Sequence, residues 1–553
     1  MMVRKRLGEL LMEAGLITEE QLEQALRKQR ETGQRLGEIL INQGVISEQQ
    51  LIEVIEFQLG IPHVDLDRYR IEPEVLAVIP EEVARRYRVL PIRVQDNRLT
   101  MAMLDPFDFY TIDHLAMITG MEIDPVISTR EGMERALDRY YGLQESVSEV
   151  LRQVQPEEID VKEVSAEDAP VVKLVNQIIE QAAEQRTSDI HFDPQKHDLA
   201  VRFRIDGMLQ TKMRLPKHLQ PILTARLKIM ANLNIAERRL PQDGRIQMPV
   251  RGRVIDIRVA ILPTIFGEKV VLRLLDPKQA VSRIEDLGFS ERNRQAFIRM
   301  IESANGIVLV TGPTGSGKST TLYAALQRLN TEDVNIITVE DPVEYQLDGI
   351  NQVQVNTAIG LTYAVGLRSI LREDPDIIMV GEIRDEETAE IAIRSALTGH
   401  LVLSTLHTND APSSIDRLVD MGIPSYLLAS TLRGVVAQRL VRRICTDCRE
   451  AYEPHPDEAE LLARHGLPAG QLWRGRGCAL CNQTGYRGRL AVHEVLPIHR
   501  ELRRYILERV PAEAYRAWGM EHGYESMLVD GLKKALDGTT TVMEVLKVVL
   551  TED

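Results

Sequence analysis

The residues best suited to do chemistry lie in one run, GIVLVTGPTGSGKSTTLYAAL, from Gly306 to Leu326. Its apolar residues Ile307 to Val310 read as a short strand. Gly312, Pro313, Thr314, Gly315, Ser316, Gly317, Lys318, Ser319 and Thr320 follow, and then a helix pattern. Glycines between a strand and a helix let the backbone wrap a phosphate with its N–H groups pointing inward. Lys318 would neutralise charge on the β- and γ-phosphates, and Ser319 would coordinate magnesium. Strand, glycine turn and helix in this order are the context a P-loop requires, so a chance glycine-rich turn accounts poorly for the run.

Hydrolysis also needs acids near the metal and the attacking water. NIITVEDPVEY, Asn335 to Tyr345, places Glu340, Asp341 and Glu344 just after an apolar strand. DPDIIMVGEIRD, Asp374 to Asp385, ends its strand at Gly381-Glu382, where the common Walker B pattern has Asp. Either cluster alone could be solvated acids beyond a strand; two of them downstream of a P-loop weaken that reading. TGHLVLSTLHTNDA, Thr398 to Ala411, carries His400 and His407 around a further apolar strand. Alone, such histidines are more often packed or hydrogen-bonded than catalytic. In a nucleotidase, one at a strand end can sense the γ-phosphate.

Four cysteines form two CxxC pairs, Cys445/Cys448 and Cys478/Cys481, the second starting 33 positions after the first. Each pair can supply two thiolates from one turn, and four thiolates enclose one zinc tetrahedrally. The long intervening loop adds little closure cost. The chain shows no secretion signal, so disulfides are improbable, and a redox role would need only one pair.

The elements that must position these groups come in blocks. RVLPIRVQDNRLTMAML, Arg88 to Leu104, has β character and REGMERALDRYYG, Arg130 to Gly142, is helical. Residues 143–168 are rich in Glu, Gln and Ser and read as a linker. A helix pattern restarts at Ala169, followed by strands with turns at Asp206-Gly207 and Phe266-Gly267. That predicts a small α+β domain over 169–285. From 286 to 553 apolar strands alternate with helices, as in an α/β domain whose cysteine-bearing stretch, 445–481, is an insertion.

Ahead of all this stands a repeat. RLGELLMEAGLITEEQLEQALRKQ, Arg6 to Gln29, is followed by RLGEILINQGVISEQQLIEVIEFQ, Arg35 to Gln58, with 11 of 24 positions identical. Gly15 and Gly44 sit where a left-handed helix end favours glycine. Thr18-x-x-Gln21 and Ser47-x-x-Gln50 are capping boxes, with Ile17 and Ile46 placed as hydrophobic staples. Each unit reads as helix, tight turn, helix, and the bland use of such a pair is as a docking adaptor.

GPTGSGKSTTL, ITVEDPVEY and LRSILREDPDIIMVGEIRDEETAEIAIRSALTGHLVLSTLHTNDA together resemble the secretion ATPase family, which powers type II secretion and type IV pilus assembly. The resemblance spans residues 169–553. It implies an α/β multidomain chain: a RecA-like P-loop ATPase core, a preceding small α+β (PAS-like) domain, and an N-terminal helical repeat with an α/β regulatory part over 1–142. It also implies Glu344 as general base, Glu382 supporting magnesium and water, and His400 and His407 as the histidine box. Arg258 and Arg273 would reach the phosphates, with Arg368 and Arg372 near the nucleotide or the subunit interface. A homo-hexamer is implied, with an inner-membrane platform protein as partner. The tetracysteine pattern resembles that of assembly and secretion members, which separates the chain from retraction ATPases.

The front repeat is similar to the cyclic di-GMP-binding domain of some of these ATPases, two 24-residue motifs with a five-residue spacer. That resemblance implies a dinucleotide held by Arg6, Leu7, Gly8 and Gln29 in one half-site and by Arg35, Leu36, Gly37 and Gln58 in the other. Leu10, Leu11, Ile39 and Leu40 would pack on the bases or fill the core. An arginine can pair two acceptors on guanine or stack on its ring.

A chain of 553 residues is long enough for three or four domains. No run approaches the ~20 apolar residues of a membrane span, so the expected place is the cytoplasm, with peripheral association to the inner membrane through partners. The net charge of −15 and 4% aromatic content argue against a nucleic-acid partner. The expectation is an ATP- and magnesium-dependent hexameric motor for pilus extension, holding Zn2+ and regulated by cyclic di-GMP. Its rivals are a type II secretion motor, a dinucleotide-sensing interaction module with incidental ATPase, and a DNA translocator.

Overall fold

The computed structural model describes residues 7–32, 36–47, 50, 54, 56, 61–66, 69, 71, 73–141, 169–250, 252–275, 283–468 and 470–549. The expected linker 143–168 lies outside them, as do Arg6, Arg35 and Gln58. Contacts group the chain into two compact units. One holds residues 1–203, 209–244 and 259–271; the other holds 204–208, 245–258 and 272–553. The division therefore does not fall at the expected residue 285. It passes through five strands, Asp198–Ile205, Met208–Pro216, Gln242–Val250, Arg253–Thr264 and Gly267–Leu275.

In the first unit the first half of the repeat forms helix, turn and helix, and the second half its first helix; most of the second half's other helix lies outside the described residues. Helices Leu7–Glu13 and Glu19–Thr32 are joined through Gly15, at φ 71°, and helix Leu36–Asn42 ends at Gly44, at φ 68°. Both capping boxes close reciprocally. Thr18 N–H donates to Gln21 Oε1 at 2.8 Å and Gln21 N–H to Thr18 Oγ1 at 3.3 Å; Ser47 and Gln50 repeat this at 2.9 and 3.2 Å. Leu11, Ile17, Ala25, Ile39, Leu40, Ile46 and Val54 form one apolar core. Leu11, Ile39 and Leu40 thus fill the interior, and a Cβ on Gly8 would meet Leu22 Cδ1 at 2.6 Å. The glycine of Arg-Leu-Gly lets the first two helices approach.

After the repeat, β1 (Val89–Gln95), β2 (Arg98–Met103) and β3 (Glu122–Ile127) form a sheet in that order. β1 and β2 pair antiparallel across Asp96-Asn97, both at positive φ, the backbone a tight hairpin requires. Next comes a six-stranded sheet. β4 (Thr187–Pro194), β5 (Asp198–Ile205), β6 (Met208–Pro216), β7 (Gln242–Val250), β8 (Arg253–Thr264) and β9 (Gly267–Leu275) lie in the order β6-β5-β4-β9-β8-β7. Helix Ala169–Glu184 packs on β4 and on helix Gln220–Met230.

The second unit is built on a seven-stranded sheet. Its strands are β10 (Gly306–Thr311), β11 (Ile336–Glu340), β12 (Asn351–Gln354), β13 (Ile377–Val380), β14 (Leu401–Leu406), β15 (Leu432–Ile444) and, after the two-stranded β16 (Arg449–Tyr452) and β17 (Leu472–Gly475), β18 (Tyr486–Pro497). The order is β12-β11-β13-β14-β10-β15-β18, with every pairing parallel except β15 with β18. β10, β13 and β14 are buried along their whole length, as strands covered on both faces must be. Ile307 and Leu309 join the core on one face, Val308 and Val310 that on the other. Such a sheet presents its ligand site beyond the carboxyl ends of the parallel strands.

Candidate active site and metal centre

β10 delivers the chain into the P-loop at that carboxyl edge. Gly312 has φ 145°, and a Cβ there would stand 2.5 Å from the Gln438 carbonyl, so only glycine fits. Gly315 and Gly317 also hold positive φ, and helix Lys318–Leu329 starts directly behind them. The Lys318 ammonium donates to the Gly312 and Pro313 carbonyls at 2.7 and 3.0 Å. Burial lowers its pKa to about 8; Glu382 opposes this and Arg439 adds to it. Ser319 is exposed in the first helical turn, and Thr320 follows it half-buried. Pro313 is half-buried, Thr314 and Gly315 are open, and Ser316 is buried.

Gln438 of β15 buttresses this loop. Its Nε2 donates to the Ser316 carbonyl at 2.8 Å, and its Oε1 accepts from Thr321 Oγ1 at 2.8 Å. Gln438 and Arg439 are 1% and 6% exposed. The sequence reading passed over them, although a Gln-Arg pair inside VVAQRLV is a polar break in a buried strand.

The carboxylates fall into two settings. Glu340, ending β11, is buried and accepts from Tyr323 Oη, Thr338 Oγ1 at 2.6 Å and Gln352 Nε2 at 3.0 Å. Glu344 is half-buried, and its carboxylate meets the Arg258 guanidinium at 3.0 Å. Arg258 also donates to the Val343 carbonyl at 2.5 Å, and both residues belong to the same compact unit. Arg273 is an exposed residue of β9 in that unit. Glu382 is only 12% exposed; it pairs with Arg384 at 2.6 Å and with His407 Nε2 at 3.2 Å. Gly381 makes room: a Cβ there would lie 3.1 Å from Tyr363 Oη and 3.3 Å from Glu340 Cα.

The two histidines separate. His407 follows β14 at the carboxyl edge, against Glu382. His400 precedes β14, about 20 Å away along a six-residue strand. There its Nδ1 lies 2.9 Å from the Ser395 carbonyl, at the end of helix Glu386–Leu397. Within one chain His400 does not face the P-loop. Arg368 pairs with Glu387, and Arg372 donates to the Arg368 carbonyl at 2.8 Å, so both are held on exposed helix surface.

In the repeat, Gly8 and Gly37 are buried, Leu36 packs against the core and Gln29 is half-buried. The side chains of Leu7 and Leu10 are outside the described residues, as are Arg6, Arg35 and Gln58.

The four cysteines do converge. Their sulfurs lie within 4.8 Å of one another, with Cys445–Cys478 at 3.8 Å, Cys448–Cys481 at 3.9 Å and Cys478–Cys481 at 3.7 Å. A tetrahedral zinc with Zn–S near 2.3 Å requires S–S edges of about 3.8 Å. Burial raises the Cys445 thiol to about 12. Backbone N–H groups of Cys478 and Gly485 donate to Cys481 Sγ at 3.1 and 3.3 Å, as the N–H groups around a metal-bound thiolate do. The set fits zinc.

A model of the family described as Type II/IV secretion system protein matches residues 164–547. The chain belongs to this family of secretion ATPases. A second model, the MshEN domain, matches residues 59–147, directly after the repeat. The ATPase is 44% identical over 557 residues to the type IV pilus assembly ATPase PilB of Myxococcus xanthus, covering 98% of each chain. It is also 44% identical over 561 residues to type II secretion system protein E of Xanthomonas campestris, covering 99% of this chain and 98% of that one. Its fold matches the DotB ATPase of Yersinia pseudotuberculosis at TM-score 0.52 and 21% identity, over 68% of this chain and 93% of that one. Two machines are thus equally near in sequence. Among the described residues no helix is long and apolar enough to cross a membrane.

Proposed function

We propose that this secretion ATPase is a homo-hexameric cytoplasmic motor for type IV pilus extension, acting through an inner-membrane platform protein and regulated by cyclic di-GMP. The observation that carries the motor reading is the Arg258–Glu344 pair, tied to the helix behind the P-loop by the Glu344 N–H, which donates to Tyr323 Oη at 3.2 Å. Arg258 holds the carboxylate that would polarise the attacking water. When ATP enters, its γ-phosphate offers Arg258 a denser negative charge, and transfer of the guanidinium leaves Glu344 free to accept a proton. Lys318 would leave two backbone carbonyls for the phosphates in the same way. Ser319 and Glu382 are the residues to hold magnesium, which when bound neutralises charge on the phosphate oxygens. Arg384 and His407 keep Glu382 aimed. Arg273 is a second cation for the phosphates, and Arg368 and Arg372 are surface cations for a neighbouring subunit, with His400 a positioning residue of its own edge.

Pilus extension is favoured over type II secretion by the repeat, whose paired Arg-Leu-Gly starts suit a two-fold dinucleotide. The equal identity to a type II secretion ATPase keeps secretion as the second reading. The test is a deletion strain complemented with wild type or with Arg6→Ala/Arg35→Ala. Loss of surface pili with intact secretion, and loss of cyclic di-GMP binding in the double variant by titration calorimetry, are the expected results. Intact pili with failed secretion would transfer the reading to the secretion machine.

A further inference from the structure

Five consecutive residues after β14 each grip a different element of the ATPase unit. His407 meets Glu382, beyond β13, at 3.2 Å. The Thr408 N–H donates to Thr311 Oγ1, at the end of β10, at 2.9 Å. Asn409 Oδ1 accepts from Arg439 of β15 at 3.2 Å. Asp410 pairs with Arg516 of helix Ala512–Glu521. The Ala411 N–H donates to Glu494 Oε1 of β18 at 2.9 Å. Three of these partners belong to the nucleotide end of the sheet. Arg516 does not: it lies 106 residues from Asp410, on helix Ala512–Glu521.

We propose that Arg516 is a positioning residue for the hydrolytic step, setting through Asp410 the place of His407 against Glu382. This rests on the reading of Glu382 and His407 as members of the site. The chemical reason is leverage. His407 is 48% exposed, so its place depends on the backbone three residues on. That backbone is fixed at Asp410 by the guanidinium and by the Ser413 N–H, which donates to Asp410 Oδ1 at 2.8 Å. At Ala411 it is fixed by a Glu494 carboxylate that also accepts from the Met527 N–H at 3.4 Å. Glu494 is buried and anchors the loop permanently; Arg516, at 43% exposure, is the adjustable contact. Movement of helix Ala512–Glu521 would reach the site by this route, since a shift of ~1 Å in a catalytic group alters rates strongly.

The test uses the full chain and compares wild type with Arg516→Met, Arg516→Lys and His407→Ala, alone and combined. The expected result is a fall of about 10-fold in kcat for Arg516→Met with KM for ATP within about 2-fold. Arg516→Lys restores most of kcat, and Arg516→Met adds no further loss to His407→Ala. A kcat for Arg516→Met within about 2-fold of wild type, an equal rise in KM, or full additivity with His407→Ala overturns the proposal. If Arg516→Met does not fold by its melting curve, Asp410→Asn takes its place with the same expected outcomes. Unchanged turnover in His407→Ala instead removes His407 from the site, a failure of the earlier reading that the Arg516 variants do not share.

Discussion

The nucleotide site and the tetracysteine centre share one compact unit and hold their ionisable groups in opposite ways. At the nucleotide site two of the acids are each held by an arginine, Glu344 by Arg258 and Glu382 by Arg384, with the His407 ring also against Glu382. These pairs are partly open to water, where an ion pair is worth ~0–1 kcal/mol and can be exchanged for a better anion. At the cysteines four like groups face one another, three of them buried, and none can leave. They are matched only by a cation placed among them. Groups that must trade partners are kept near water and in neutral pairs; the cysteines are packed together, in a set that one zinc would fit.

The comparison is broken most severely at Glu344. Glu344→Gln keeps the shape and removes the charge that holds Arg258 and, in the proposed mechanism, would accept the proton. Turnover should fall about 10²–10⁴-fold, while ATP affinity holds or tightens because Arg258 is already released. Phosphate release under saturating ATP, beside equilibrium nucleotide binding, separates the two. Affinity falling in step with turnover would place Glu344 in binding, and the exchange would not exist.

The histidines give the next largest effect and sharpen the argument inside a single strand. His407→Ala removes a partner of Glu382 and should cost about 10²-fold in kcat. His400→Ala, at the far end of β14, should cost less than about 2-fold in a single chain's chemistry. Equal losses would mean that His400 acts across a subunit boundary.

Much of this was legible in the sequence where chemistry and chain order coincide. The P-loop glycines, the strand-end acids, the two CxxC turns and both capping boxes each need only residues within a few positions, so spacing reveals them. The turns at Asp206-Gly207 and Phe266-Gly267 follow for the same reason. What spacing does not reveal is which distant residue supplies the missing partner. Gln438 reaches Ser316 across 122 positions, Arg439 and Thr311 reach the histidine loop, and Arg516 reaches Asp410. These contacts are made by strand order, β10 lying between β14 and β15, and no local pattern encodes that order. His400 shows the converse. It stands seven residues from His407 and carries the same chemistry, yet the strand between them puts it at the wrong edge.

Acidity offers a gentler test of the exchangeable site. Burial holds the Lys318 ammonium down to about 8, so the free enzyme is mostly charged at pH 7 and mostly neutral at pH 9. Bound triphosphate favours the charged form. ATP binding should therefore weaken by about 10-fold between pH 7 and 9. Lys318→Arg, whose cation does not titrate there, should show a flat profile. For folding the sign is opposite. The unfolded lysine keeps more protons between about 8 and 10.5, so this group's contribution to stability improves as pH rises through that window. A wild-type affinity that is level across the range would mean that Lys318 stays charged and is never truly withdrawn from water.

Removing zinc should alter turnover least, and that is where the two regions differ most sharply. β15 and β18 pair in register from Gly434 with Pro497 to Arg442 with Arg489, so Gln438 is held under the P-loop by ladder hydrogen bonds before the cysteines are reached. Chelation, or Cys478→Ser, should release about one zinc per chain by metal analysis. It should lower the melting temperature by ~2–4 °C for each kcal/mol lost and change kcat at 25 °C by less than about 2-fold. The loss should concentrate in β16, β17 and the turn at Gly475 and Gly485, where a Cβ on Gly475 would stand 1.9 Å from the Gly485 carbonyl. Hydrogen exchange that opens this insertion while β15 stays protected would confirm a closed, local metal centre. Exchange that spreads along β15 to Gln438, with turnover falling in parallel, would show that the buried ion also governs the exchangeable site.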